Sequence, residues 1–339
     1  MARVFIDGFE SRTTLLWDGA GGFHDESNYQ SGIGGGQYAF SPSVDSGITK
    51  SFSPLSTVYL RFTSGNTNVA PFGFVWLYFY NGATYVNDPQ GIVVIDGEHV
   101  YVTNDYSGEE SQHYYGHELC PHSWQIRFEN IGTGEKRIQI KGDNVEVVDW
   151  TYSNTTPDEL TTSKIAFYFH DRAAAIDNVV IDDAEWPGET CIFGMLPSAN
   201  GSTIEWSPSS GENYQAVGSN VFVNSYYPPL TLPTAYVSSS TPGAIDIYEI
   251  GNAYTDESEV QTNALQFDEQ VKCVQPQYFI HSGEHFQPCF YSGEFHYGGQ
   301  LSGEYNWHLV WETWPVNPIT SGEWGITDIQ EMQTGMRLA

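Results

Sequence analysis

The chain has 339 residues, 40% of them hydrophobic and only 16% charged, a balance that supports packed cores and excludes both a disordered chain and long solvated helices. Acidic side chains outnumber basic ones 42 to 12, and the net charge of −30 repels phosphate, which excludes nucleic acid and anionic membrane as partners. At roughly 100–200 residues per domain, the length implies two domains.

The abundance of Gly (34), Tyr (22), Phe (19) and Trp (10) points to β structure, because aromatic side chains suit a pleated, half-buried surface and Gly supplies the turns. No apolar run approaches ~18 residues, so no membrane insertion is expected. The opening MARVFIDGFES has neither the basic nor the apolar region of a signal peptide, which leads to an expectation of cytosolic synthesis.

Residues 1–185 read as a succession of short strands. Arg3–Ile6 opens the series, and Thr57–Phe62 alternates as a strand. Gly73–Tyr80 (GFVWLYFY) is a continuous apolar and aromatic run, the pattern of a strand buried on both faces. Gly91–Ile95 and His99–Thr103 flank Asp96-Gly97, a hairpin signal. Trp124–Phe128 follows, then Arg137–Ile140 and Val145–Trp150 around the turn Gly142-Asp143, and Lys164–Phe169 and Ile176–Ile181 close the set. So many strands at this spacing predict a β-sandwich or jelly roll.

The domain boundary is expected at Asp182–Gly188 (DDAEWPG), where Pro187 and Gly188 break regular structure. Residues 186–339 are richer in Ser, Pro and Gly. Strands are predicted at Ala244–Ile250, Glu269–Ile280, Phe286–Tyr291 and Asn306–Trp311, and one short helix at Thr327–Thr334, ended by Gly335. The triplet SGE recurs at Ser282, Ser292 and Ser302, with a fourth copy at Ser321, and predicts turns in a meander of short strands. The expected fold class is therefore all-β: an N-terminal jelly roll or β-sandwich, then a second β-rich domain with one C-terminal helix.

The segment His113-x3-His117-Glu118-x-Cys120-x-His122 gathers metal-ligating side chains, but its spacing fits no standard zinc pattern, and a His-bearing loop is expected. Acidic residues at Asp171, Asp177, Asp182 and Asp183 offer hard oxygen ligands of the kind calcium takes, without an EF-hand spacing. His113, His117, Asp171 and Asp177 are thus the candidate metal ligands, in a chain for which no cofactor is otherwise expected. The four cysteines form no CxxC pair; a Cys273–Cys289 bridge is one alternative, and buried free thiols are the other, expected in a cytosolic product.

Ala244-Ile-Asp-Ile-Tyr-Glu249 nearly matches the Glu-x-Asp-x-x-Glu strand of jelly-roll β-glucanases, but Ala244 stands where the nucleophile would be, which argues against that enzyme class. No GxGxxG, GxxxxGK[ST] or GxSxG motif occurs. The candidate binding residues are aromatic: Tyr114, Tyr115, Tyr226, Tyr227, Trp307, Trp311 and Trp314 fall in or near expected loops, where flat rings stack on sugars or anchor protein interfaces. No enzymatic activity is expected.

Four stretches carry a resemblance: Phe5-Ile-Asp-Gly-Phe-Glu10, Val58-Tyr-Leu-Arg-Phe62, the hairpin Arg137–Trp150, and Ile176-Asp-Asn-Val-Val-Ile-Asp-Asp183. With them the first segment resembles the concanavalin A-like (laminin-G-like) jelly rolls of tailed-phage structural proteins. The second segment looks like the module that often follows them, through Leu196-Pro-Ser-Ala-Asn-Gly201, Glu205-Trp-Ser-Pro208, Tyr236–Gly243, Asn317–Trp324 and Asp328–Gly335. The resemblance implies that the first and last strands of the jelly roll meet. It implies a virion structural protein (tail, fibre, spike or capsid-surface component) assembled in the host cytoplasm, with other virion proteins as partners. A homo-oligomer, trimeric by analogy, contact with host surface glycans, and calcium also follow from it. A stand-alone carbohydrate-binding lectin is the alternative, and a polysaccharide depolymerase a third.

Overall fold

The computed structural model describes residues 3–7, 16–20, 29–31, 38–40, 46–66, 74–81, 89–96, 99–103, 110–114, 122–132, 134–153, 160–169, 174–188, 195–218, 235–252, 274–280, 284–302, 308–325, 328 and 331–339. The chain divides into two compact units, Met1–Phe193 and Gly194–Ala339.

The strands of the first unit are β1 (Arg3–Asp7), β2 (Gly19–Ala20), β3 (Tyr29–Ser31), β4 (Tyr38–Phe40), β5 (Ser46–Leu55), β6 (Thr57–Asn66), β7 (Phe74–Tyr80), β8 (Gly91–Asp96), β9 (His99–Thr103), β10 (Glu110–Tyr114), β11 (His122–Gly132), β12 (Glu135–Gly142), β13 (Val145–Ser153), β14 (Thr162–Phe169) and β15 (Ala174–Asp182). They form two antiparallel sheets. The eight-stranded sheet runs β13-β12-β11-β6-β15-β4-β3, with β1 also paired to β15; the seven-stranded sheet runs β10-β9-β8-β7-β14-β5-β2. Together they make the jelly-roll β-sandwich expected of this unit. Its first and last strands do meet, with Phe5 opposite Ile181.

Period-two alternation explains why the sheets face each other. In β11, Trp124, Ile126 and Phe128 point inward and Gln125 and Arg127 outward; Ile138 and Ile140 of β12 join the inward set. Rings from the two sheets interlock. Phe79 stacks on Phe128 at 4.4 Å between centroids, and Phe62 meets Phe167 edge-on at 5.1 Å. Burying such side chains stabilises the unit by about 1.5–3 kcal/mol each.

Trp17 and Lys50 show how polar groups inside the sandwich find partners, as burial demands. The Trp17 indole donates to Asp7 at 2.7 Å, and the Lys50 ammonium donates to the Leu16 carbonyl at 2.5 Å, with Asp18 at 3.7 Å. Burial pulls the Lys50 pKa down, against the opposing pull of Asp18.

Two local readings change. The β12–β13 turn is Asp143-Asn144, both at positive φ (46° and 65°), whereas Gly142 ends β12 opposite Val145. Two consecutive left-handed residues match the twist of the paired strands, and Asp and Asn tolerate that conformation. The segment Asp182–Gly188, where the domain boundary is expected, lies within the first unit. Trp186 sits edge-on to Tyr59 at 5.7 Å and under the Lys141 ammonium at 4.2 Å, and the Gly188 N–H donates to Gln125. An aromatic ring with a cation above it holds this stretch against the outer face of β6, β11 and β12.

The second unit contains β16 (Met195–Ile204), β17 (Ser207–Pro208), the helix α1 (Asn213–Gly218), β18 (Val237–Ser238), β19 (Ile245–Asn252), β20 (Gln277–Ile280), β21 (His285–Tyr291), β22 (Phe295–Tyr297), β23 (Leu301–Ser302), β24 (His308–Trp311) and β25 (Gln333–Leu338). Its main sheet runs β16-β19-β25-β21-β22, with β23 also on β21. The expected C-terminal helix is shortened at its end. Its last residues enter β25, which fills the gap between β19 and β21, and Asp328 alone of the first four is described, as a helical residue. Insertion there pairs both edges of β25 and buries Met336 and Leu338, outweighing the helix propensity of Gln333.

The expected meander is likewise modified. Ser292-Gly293-Glu294 does turn β21 into β22, with Gly293 at φ +86°, but β21 has the distant C-terminal strand as its other neighbour. Cys289 is a free, buried thiol, and its proposed partner Cys273 lies outside the described residues, as do Cys120 and Cys191.

Candidate functional site

The seven-stranded sheet has a second face, turned away from the core. Strand β7 shows how it arises. Val75, Leu77 and Phe79 enter the core, so Trp76, Tyr78 and Tyr80 necessarily point the other way. The sequence reading of a strand buried on both faces holds for Tyr78, 8% exposed, whereas Trp76 and Tyr80 are partly open to solvent.

Register extends the face across the sheet. Trp76 pairs with Tyr168 of β14 on one side and Val94 of β8 on the other, and Val94 pairs with Tyr101 of β9. One row down, Ala166, Tyr78 and Ile92 align; beyond that, Lys164 lies opposite Tyr80. Tyr78, Ile92 and Val94 form a buried patch, with Trp76, Tyr80, Tyr101, Ala166 and Tyr168 packed around it.

Along β7 the rings form a ladder. Trp76 and Tyr78 are 6.1 Å apart with planes 30° apart, and Tyr78 and Tyr80 are 6.0 Å apart with planes 21° apart. His99 and Tyr101 add a tilted pair at 5.8 Å. Among its described side chains the face offers flat apolar rings with phenolic hydroxyls, an indole and one ammonium: a surface for stacking and hydrogen bonding.

The candidate residues read from sequence are distributed differently. Tyr115, His117, Asp171, Tyr226, Tyr227 and Trp307 lie outside the described residues. Tyr114 and His113 are on β10, an edge strand rather than the expected loop, paired with His99 and Val100. Trp311 ends β24 in the second unit, partly exposed and opposite Gln277.

Trp314 is no surface anchor. It is 8% exposed and packs with Phe290, Trp324 and Met332, its carbonyl accepting from the Trp324 indole at 2.9 Å. Asp177 is no loop ligand either. It is fully buried within β15 and accepts the Asn178 N–H at 2.6 Å, at a bulge where Asn178 takes φ 52°. A carboxylate that caps its own bulge is held by the backbone. Among the described residues, no group of three or more His, Cys, Asp or Glu side chains could hold a metal ion.

The Ala244–Glu249 stretch has a structural role. The Asp246 carboxylate accepts from the N–H groups of Glu205 and Trp206 at 3.0 and 3.2 Å, from the Asn213 amide at 2.8 Å and from the Tyr248 hydroxyl. Burial and the Asp246 charge push the Tyr248 pKa upward, which keeps the phenol protonated as a donor.

The residues of the aromatic face were within reach of the sequence. Taking GFVWLYFY at period two separates Trp76, Tyr78 and Tyr80 from the core set. The Asp96-Gly97 hairpin then brings Tyr101 beside Val94. Long-range pairing of β14 with β7, which adds Tyr168 and Lys164, has no local signal.

Fold and face together define a two-sheet jelly-roll protein with an aromatic outer surface on one sheet. No protein-family model matches the chain, and no curated protein sequence matches it. Solved structures similar to it include the globular domain of T. cruzi calreticulin, at 9% identity and TM-score 0.37, covering 54% of this chain and 89% of that one. An endo-β-1,4-glucuronan lyase from the fungus Trichoderma reesei matches at 12% identity and TM-score 0.40, covering 54% and 96%. The carbohydrate-binding module CBM66 from Bacillus subtilis matches at 14% identity and TM-score 0.30, covering 44% and 86%. Likeness at this level carries no functional argument.

Proposed function

We propose that the first unit binds carbohydrate on the outer aromatic face of its seven-stranded sheet, by contact and without turnover. The observation that carries this is the ladder Trp76, Tyr78, Tyr80, flanked by Tyr101 and Tyr168, in which all but the buried Tyr78 are partly open to water. The C–H face of a pyranose is apolar and slightly positive, and an aromatic face is apolar and negative. Stacking buries both, while phenol, indole and ammonium groups reach the ring hydroxyls. A contiguous apolar patch of this kind on a soluble surface marks an interaction site.

The test is a glycan array probed with the full chain and with Trp76→Ala. Binding is expected for the parent and should weaken at least tenfold, about 1.4 kcal/mol, in the variant with its unfolding midpoint retained. Undiminished binding by the variant removes this face as the site. New reducing or unsaturated ends in a bound polysaccharide would replace binding by cleavage. Placement in a virus particle, trimeric assembly and calcium, implied by the resemblance, have no supporting observation in the fold or the comparisons.

A further inference from the structure

We infer that the ligand of this face is an uncharged, extended polysaccharide, with sugar rings lying over Trp76 and Tyr80 and spanning the buried Tyr78 between them; the inference rests on the carbohydrate-binding reading above. Side chains at i, i+2 and i+4 of one strand follow one another in a row on the same face. Their separations, 6.1 and 6.0 Å, are similar, and their planes are close to parallel. Such a ladder suits a ribbon-like chain that presents the same apolar face at each repeat. A compact monosaccharide or a tightly coiled chain would leave at least one ring uncovered.

Charge decides between neutral and anionic chains. The protein carries −30 net, with 12 basic residues in all. Among the described side chains of this face, Lys164 is the one permanently cationic group, and His99 is the one other basic group. One ammonium can offset one carboxylate. It cannot offset a polyanion carrying a charge on every unit, which would meet the field of the whole chain at low ionic strength, where the Debye length reaches ~30 Å. Against a neutral chain the field is irrelevant. Neutral binding should therefore be nearly independent of salt.

Affinity electrophoresis of the full chain through gels containing soluble neutral glucan, xylan or mannan, against polyuronate and sulfated polysaccharide, tests this at 10 and 300 mM NaCl. The expected result is retardation by at least one neutral polymer, changed less than twofold by salt, and none by the polyanions. For oligomers of the retarding polymer, affinity should rise at least tenfold from two units to four and then level off. In Tyr80→Ala, which leaves Trp76 and Tyr78 in place, that plateau should come one unit earlier. Retardation by a polyanion that weakens with salt overturns the inference while leaving carbohydrate binding intact. So does equal affinity for disaccharide and tetrasaccharide. If no polymer retards the parent, or if Trp76→Ala is retarded as strongly as the parent, the binding reading fails and the inference with it.

Discussion

At the scale of single residues, buried polar groups in this protein serve packing. Asp246 ties α1 and the β16–β17 connection to β19, and Asp177 anchors the β15 bulge. Cys289 offers a measurable consequence. Burial pushes its thiol from the ordinary 9.0 up to about 12. The unfolded chain ionises this thiol first, so its contribution to stability is complete below pH 9 and is lost as pH rises from 9 toward 12. Denaturant unfolding of the parent and of Cys289→Ala, compared from pH 8 to 10.5, should show the parent's advantage shrinking steadily above pH 9. A pH-independent difference would contradict this. The buried phenols Tyr248 and Tyr278 are also raised, so both proteins should lose further stability above pH 10.

At the scale of elements, the decisive strand is β25. It is the centre of the second unit's sheet, yet the sequence reading assigns only its first two residues, Gln333 and Thr334, and those to a helix. Gly335 makes the insertion possible. A Cβ at this position would lie 1.9 Å from the Asp246 carbonyl oxygen and 2.7 Å from the Ile247 Cα. Neither neighbour is the end of a flexible side chain, so the β19 backbone itself would have to move. Gly335→Ala should destabilise the second unit by about 3 kcal/mol or more, read as a lowered denaturant midpoint. A midpoint within experimental error of the parent's would mean that β19 and β25 are not so closely apposed. In the first unit the most legible elements were those with a hairpin partner nearby, such as β8 with β9 and β12 with β13. Strand β5 was missed because SGITKSFSPL alternates small and polar residues; its identity comes from β14, with which Ile48 and Thr49 pair.

For the whole molecule, the acidic excess is the dominant sequence property. Several basic side chains are already engaged: Arg137 holds Asp149 through two hydrogen bonds of 2.8 and 2.6 Å, and Arg127 lies 2.9 Å from Glu129. The remaining net negative charge repels itself, and salt screens that repulsion. Raising NaCl from 20 to 500 mM should therefore increase the thermal midpoint by several degrees; a flat or falling midpoint would show that the surviving ion pairs outweigh the excess. Composition, alternation and turn residues determined by themselves that this chain is all-β and where most strands of the first unit run, whereas the joining of the jelly roll's ends was implied by the family resemblance alone. The first two are properties of a few adjacent residues or of the chain's totals. Which aromatic rings share one open face, why Trp314 is core, and where the C-terminal strand inserts were decided only by tertiary pairing, because a strand's alternation marks two faces without saying which one another sheet will cover.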